Sequence, residues 1–375
     1  MKTSSFSKIV CGMLLCAAGA VSFGEVQASA VYYLSQNEKS KPSQYALKDN
    51  SLWKDSAGNA GPKSELDVNS TYVVNNNRYL RTFAFGNETL FKGKCLKIGE
   101  ETQGRLLMYG GSAPLSFEES AEGLVLARGQ LSSQQTSNEV HGAVMVMKNI
   151  TNPPTISWAY NDSVLVFRGK LSSEDGAVLK VGVKDDAKGV NSTNLSLRIY
   201  SDCSDFSGSL GVESSVRFDD ANNRFGRRIE FGNVKFSGQV HMKGIGSILT
   251  TVEPSDTVEI GNLYVEYELR IEAKRNGMES SLIKVANVHF PETQGKIEIK
   301  TLWDGINDIK TSRPLRFPVL EVPYSAEIDD SVFKLTSGDT VFAGASLKWV
   351  ANADKTRKTL CVAYPARGAF CLSVR

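Results

Sequence analysis

Histidine is close to absent from this chain, with three residues in 375: His141, His241 and His289. So few imidazoles leave little material for acid-base chemistry or a histidine-rich metal centre. Each follows a valine in a strand-like context, so strand histidines are the expectation. Stacking two of them on one face as metal ligands is the alternative. No GxSxG occurs, and a hydrolase built on a nucleophile elbow has no support. No CxxC occurs, which removes zinc-ribbon and dithiol redox sites. Charge of one sign is lacking too: 43 Lys and Arg stand against 41 Asp and Glu, a net charge of +2. A chain so near neutral projects no long-range field toward nucleic acid or an anionic membrane. No stretch after the N-terminus approaches the roughly 18 consecutive apolar residues of a membrane helix. Helical periodicity is almost wholly missing after residue 31.

The N-terminal thirty residues have the form of a secretory signal. Lys2 and Lys8 precede an apolar stretch from Ile9 to Val21 that is too short to span a bilayer, and Ala28-Ser29-Ala30 supplies the small residues of a cleavage site. A lipoprotein reading of Cys16 is weaker, because Leu14 and Leu15 stand where a small residue is needed. The mature chain is therefore expected to begin at Val31. Its location is then secreted, extracellular or at the cell surface, with the periplasm as the alternative.

In place of helical patterning the chain has alternation with period two. Leu263, Val265, Tyr267, Leu269, Ile271 and Ala273 fall on one side of an extended run, with Glu266, Glu268, Arg270 and Glu272 on the side expected to face water. Similar runs cover 179–183, 195–200, 296–300 and 345–349, separated by Gly, Asn, Ser and Asp clusters of turn character. The fold class is all-β. One segment also repeats: Leu124 to Ser133, with Arg128-Gly129 at its centre, returns at Val164 to Ser173 with Arg168-Gly169. Each copy has an apolar face that only a stacked neighbour covers, which points to a parallel β-solenoid. A β-sandwich (jelly roll) is the alternative. Phe206-Ser207-Gly208 recurs as Phe236-Ser237-Gly238. The organisation expected is a signal at 1–30, a polar N-terminal arm or cap at 31–75 carrying Trp53, a solenoid at 76–330, and C-terminal hairpins at 331–375 that seal the open end. Pro314, Pro318 and Pro323 argue against a regular central strand before that boundary.

Four cysteines follow the signal. Cys361 and Cys371 flank the turn-like Tyr364 to Gly368, so a hairpin that sets them opposite each other makes them the candidate disulfide. Cys95 and Cys203 read equally as buried thiols or a bridge. The acidic pairs Asp185 with Asp186, Asp219 with Asp220, Asp329 with Asp330, and Asp304 with Asp308 offer the oxygen ligands of calcium, which with a Lys or Arg base would suit uronate lyase chemistry. Adjacent aspartates in turns ordinarily cap corners, and the loop around Trp303 lacks calcium-loop spacing. No catalytic, cofactor or metal residue is assigned, calcium remaining the one cofactor with any material. Lys348, Lys355, Arg357, Lys358, Arg367 and Arg375 make the C-terminal stretch basic, which reads first as edge-strand protection. Trp53, Trp158, Trp303 and Trp349 are scattered and read as packing. Arg128 and Arg168 read as guanidinium bridges between adjacent rungs.

Tyr72-Val-Val-Asn-Asn-Asn-Arg-Tyr-Leu-Arg-Thr82, Phe91-Lys-Gly-Lys-Cys-Leu-Lys-Ile-Gly99 and the two Phe-Ser-Gly elements resemble bacterial autotransporter-passenger-like proteins with autotransporter-associated strand repeats. The resemblance implies a right-handed, pectin-lyase-like parallel β-helix displayed outside the cell in adhesion or surface-layer roles, less often enzymatic ones. It departs from that family in having too few residues after the repeats for a membrane β-barrel, so any attachment is expected from a partner or another anchor. The function expected is a secreted, non-enzymatic structural or adhesion element, monomeric, touching an extracellular glycan or envelope component. The alternatives are a polysaccharide-active β-helix lyase or hydrolase and a carbohydrate-binding β-sandwich module.

Overall fold

The computed structural model describes residues 30–35, 52–61, 66–82, 89–109, 114–134, 137–158, 163–184, 195–212, 227–290, 296–303, 313–337 and 344–366. Of the signal segment expected at 1–30, residues 1–29 lie outside them. Among the described residues there is no α-helix, and three long sheets of seven, twelve and ten strands, called A, B and C here, make up the molecule. The chain visits them in rotation. Thr71–Val74 lies in sheet A, Arg78–Arg81 in B and Thr89–Phe91 in C; then Cys95–Ile98 returns to A, Gly104–Tyr109 to B and Leu115–Phe117 to C. Each strand pairs in parallel with its counterpart one pass earlier, as Arg78–Arg81 does with Gly104–Tyr109. A sandwich would make antiparallel pairs dominate. Here they occur only at the two ends and in a small hairpin, Arg275–Asn276 with Glu279–Ser280.

The core follows from this stacking. In sheet C, Leu165, Leu197, Ile229, Leu249, Ile271 and Ile299 stand opposite one another on successive strands and are fully buried. In sheet A, Tyr72, Leu96, Leu124, Val144 and Leu171 do the same. Burying each aliphatic side chain contributes about 1.5–3 kcal/mol. Sheet A stops at Leu171–Ser173 while B and C continue, and the aromatic pair Phe206 and Phe236, ring centroids 4.9 Å apart, packs in the core beyond that point. At the other end Val31–Leu34 pairs in parallel with Thr71–Val74, and the buried Trp53 meets the Tyr72 ring edge-on at 5.0 Å.

Several expectations are corrected. The echo of Leu124 to Ser133 at Val164 to Ser173 is not the structural period: Gly123–Leu126 lies in sheet A, whereas Ser163–Arg168 lies in sheet C. Forty residues carry the chain one full pass and two further sides, so Arg128 and Arg168 are not stacking equivalents. Residues paired on neighbouring parallel strands stand between 20 and 40 positions apart, as Leu124 with Val144 and Val31 with Thr71 show. The Phe-Ser-Gly echo, by contrast, is one such pass. The run from Leu263 to Ala273 is not one strand: Thr257–Val265 belongs to sheet B, Leu269–Ala273 to sheet C, and the corner between them exposes Tyr267. Arg270 and Glu272 are buried rather than in water: Arg270 pairs with Glu298 on the adjacent strand, and Glu272 with Arg228 two strands away. The proline-bearing stretch does form a strand, Leu315–Pro323, paired on both sides. A register shift after Pro318 accommodates the missing N–H.

Of the candidate disulfide pair Cys361 and Cys371, only Cys361 is described. Cys361 is a free, buried thiol in Arg357–Tyr364, whose two edges are occupied by Leu315–Pro323 and Ser346–Ala351. Cys371 lies outside the described residues. Cys95 and Cys203 are free and buried as well.

Candidate functional site: the outer face of sheet B

Three consecutive strands of sheet B, Lys235–Met242, Thr257–Val265 and Leu282–His289, form the candidate surface. Alternation along each strand drives Val240, Leu263 and Val288 inward and leaves Gln239, Asn262 and Asn287 as one outward row, His241, Tyr264 and His289 as the next. The amides are linked, Asn287 Nδ2 donating to Asn262 Oδ1 at 3.0 Å. His241 Nε2 lies 2.9 Å from Gln239 Oε1. The rings stack in a continuous ladder, with centroids 4.4 Å apart for His241 and Tyr264 and 4.3 Å apart for Tyr264 and His289, the latter pair nearly coplanar at 4°. Burial, followed by the nearby Lys243 charge, lowers the His241 pKa from its ordinary value.

Beside these rows the strands bend over small residues, Ser237, Gly261 and Ala286, which floor a groove of about 540 Å³. A side chain at Gly261 is excluded, since its Cβ would come 2.4 Å from the Ser237 carbonyl oxygen. The far wall is a ladder of alternating sign: Lys235, Glu259, Lys284 and Glu321 on successive strands, closed by Arg357. Lys284 lies 3.9 Å from Glu259, and Arg357 Nε donates to Glu321 at 3.3 Å while Arg357 also donates to the Val285 carbonyl at 2.8 Å. Opposite charges on adjacent strands pair in this way wherever register sets them face to face.

The structure thus brings two of the three histidines to one face, two strands apart, but inserts Tyr264 between them, so they do not converge on a common point. His141 is elsewhere, in sheet C, with its Nε2 2.7 Å from Glu139. Arg168 donates to the same carboxylate at 2.9 Å, which holds Glu139 below the ordinary carboxylate range, and its guanidinium lies 4.5 Å from the Tyr200 ring centroid. Arg168 and Glu139 sit on neighbouring strands, and Arg128 donates to the Glu101 carbonyl of the preceding pass. Asp329 caps a short 3-10 turn, Asp330–Val332, through Ser331. Asp185, Asp186, Asp219, Asp220, Asp304 and Asp308 lie outside the described residues. Among the described residues no three His, Cys, Asp or Glu side chains cluster as a metal would need.

Of the basic C-terminal residues, Arg357 belongs to the groove, and Lys358 donates to the Ala326 carbonyl at 2.7 Å and lies 5.3 Å from the Trp349 ring centroid. Lys348 is exposed and Lys355 sits in the turn of the final hairpin at φ +55°. Arg367 and Arg375 lie outside the described residues. Trp53 and Trp303 are buried, Trp303 donating to the Tyr364 hydroxyl at 2.9 Å; Trp349 packs on Phe333; Trp158 ends the strand Thr155–Trp158. The amide row escaped the sequence reading because its members recur at unequal intervals. The recurrent Phe-Ser-Gly was the one local signal that pointed to the groove floor.

Among the described residues no helix is long and apolar enough to cross a membrane. No protein-family model matches this chain, and no curated protein matches it either.

Proposed function

We propose that this chain is a non-catalytic, right-handed parallel β-solenoid exported from a bacterium, where it serves as an extracellular or cell-surface structural or adhesion element. The observation that carries this reading is the combination of a continuous like-on-like core with outward charges that neutralise one another. The carboxylates of the open groove are each engaged by a cation across the strands rather than aimed at a common point. A rod of this kind is stiff, and contact falls to its outer faces and corners. The resemblance of its strand motifs to autotransporter-passenger-like proteins supports the same reading, as does the signal-like N-terminus.

A polysaccharide-active enzyme is the second reading. It is favoured by one specific observation: Glu259 and Glu321 share a groove with Lys235, Lys284 and Arg357. A uronate-lyase absorbance assay over a panel of acidic polysaccharides, run with a reducing-end hydrolase assay and a glycan array, separates the two. The expected result is glycan retention without turnover. Turnover that disappears in a Glu259→Gln or Glu321→Gln variant would overturn the non-catalytic reading.

A further inference from the structure

We propose that the trough on the outer face of sheet B binds a linear, neutral, hydroxyl-rich polysaccharide lying along the stack, across the strands. This rests on the non-catalytic reading above and names the ligand class of the same site. Direction comes first. The floor residues Ser237, Gly261 and Ala286 occupy three successive strands, so the trough runs perpendicular to them and parallel to the direction of stacking. An extended polymer fits such a trough; a compact ligand would touch only one strand.

Period is the second argument. Strands repeat at about 4.8 Å, close to the length of one pyranose ring, and each of the three contributes the same pair of outward groups: an amide and a ring. Gln239 with His241, Asn262 with Tyr264, and Asn287 with His289 form one such pair per strand, in register, on the outer face beside the trough. A polymer with one sugar per strand meets the same chemistry at every step.

The third argument is charge and hydrogen-bonding type. Lys284 and Glu259 pair, as do Arg357 and Glu321, leaving little net field for a polyanion. Carboxamides both donate and accept, as sugar hydroxyls do. The rings cover one another's faces at 4.3 and 4.4 Å, so it is their polar edges, not their faces, that meet the ligand along most of the ladder. Recognition is therefore by hydrogen bonding rather than by a flat aromatic platform.

Calorimetric titration tests this with cello-, manno-, xylo- and chito-oligosaccharides of two to six residues, and with polygalacturonate as the acidic comparison. At least one neutral series is expected to bind, with affinity rising at least tenfold from dimer to tetramer and flattening beyond. Ala286→Trp, at an exposed position that fills the trough, is expected to weaken that binding at least tenfold with an unchanged thermal midpoint, and Asn287→Ala to weaken it several-fold. Absence of binding by all four series, no length dependence, wild-type affinity in Ala286→Trp, or tighter binding of polygalacturonate would each overturn the proposal. Those outcomes leave the non-catalytic reading standing, whereas turnover of a bound oligosaccharide would sink that reading and leave the trough as a binding site.

Discussion

At the residue scale the buried thiols and the half-buried His241 show what burial does to ionisable groups in this molecule. Burial pushes the Cys95 and Cys203 thiols up to about 12, so at neutral pH almost no thiolate is present to react. Iodoacetamide labelling read by peptide mass spectrometry is expected to leave both peptides unmodified in the native protein and to modify them fully in urea. His241 has its folded pKa below the ordinary value near 6.5, chiefly through burial, with Lys243 and His289 adding to the shift and Glu266 opposing it. The unfolded chain then takes up this proton first as pH falls. Stability linked to this residue is complete above pH 6.5 and declines as pH drops through that value toward the folded pKa. The urea midpoint is expected to fall between pH 7.5 and pH 5.5, and to fall less in His241→Gln. None of this was legible in the sequence. The chain shows three histidines each after a valine, but only the pairing of strands sets Tyr264 between two of them.

At the scale of the element, sheet C carries charges on the outside of its strands yet buries Glu230, Arg270, Glu272 and Glu298. Arg270 Nε donates to Glu298 at 2.7 Å, and Thr336 donates to the other carboxylate oxygen at 2.7 Å. Burial alone would raise the Glu298 pKa, but the Thr336 and Arg270 hydrogen bonds outweigh it and leave the carboxyl below its ordinary value. One strand-pair further, Arg228 meets Glu272 at 2.9 Å and Arg198 meets Glu230 at 3.2 Å. Removing one partner of a buried pair leaves the other charge without compensation, at a cost of about 3–5 kcal/mol. Glu298→Ala is expected to destabilise by that order in urea unfolding, whereas Arg270→Met with Glu298→Leu together cost less. Alternation in the sequence identified Arg270 and Glu272 as outward-facing. That they are shielded follows from the register, which stacks Arg270 on Glu298 across a single strand spacing.

At the scale of the whole molecule the two ends differ from the middle. Each parallel sheet would end in a row of unpaired backbone groups, an edge that invites association with another chain. The C-terminal hairpin, Ser346–Ala351 with Arg357–Tyr364, pairs along one side of Leu315–Pro323 and buries Leu360 and Val362. Deleting residues 346–366 exposes that strand and the apolar side chains beneath it. The shortened chain is expected to form soluble aggregates at micromolar concentration, read by static light scattering, while the full chain stays dispersed.

The sequence by itself determined the class of the fold. Period-two alternation, frequent turn clusters and the lack of helical periodicity allow little but strands, and the runs read at 179–183, 195–200, 296–300 and 345–349 are strands to within a residue or two. Local pattern records which side chains prefer burial. It does not record which strand lies on which, because passes of unequal length bring together residues 20 to 40 positions apart and erase any fixed spacing. Only the tertiary structure decided that Leu124 to Ser133 and Val164 to Ser173 occupy different sheets, that both edges beside Cys361 are taken, and that an amide row, a ring ladder and a small-residue floor run side by side across three strands.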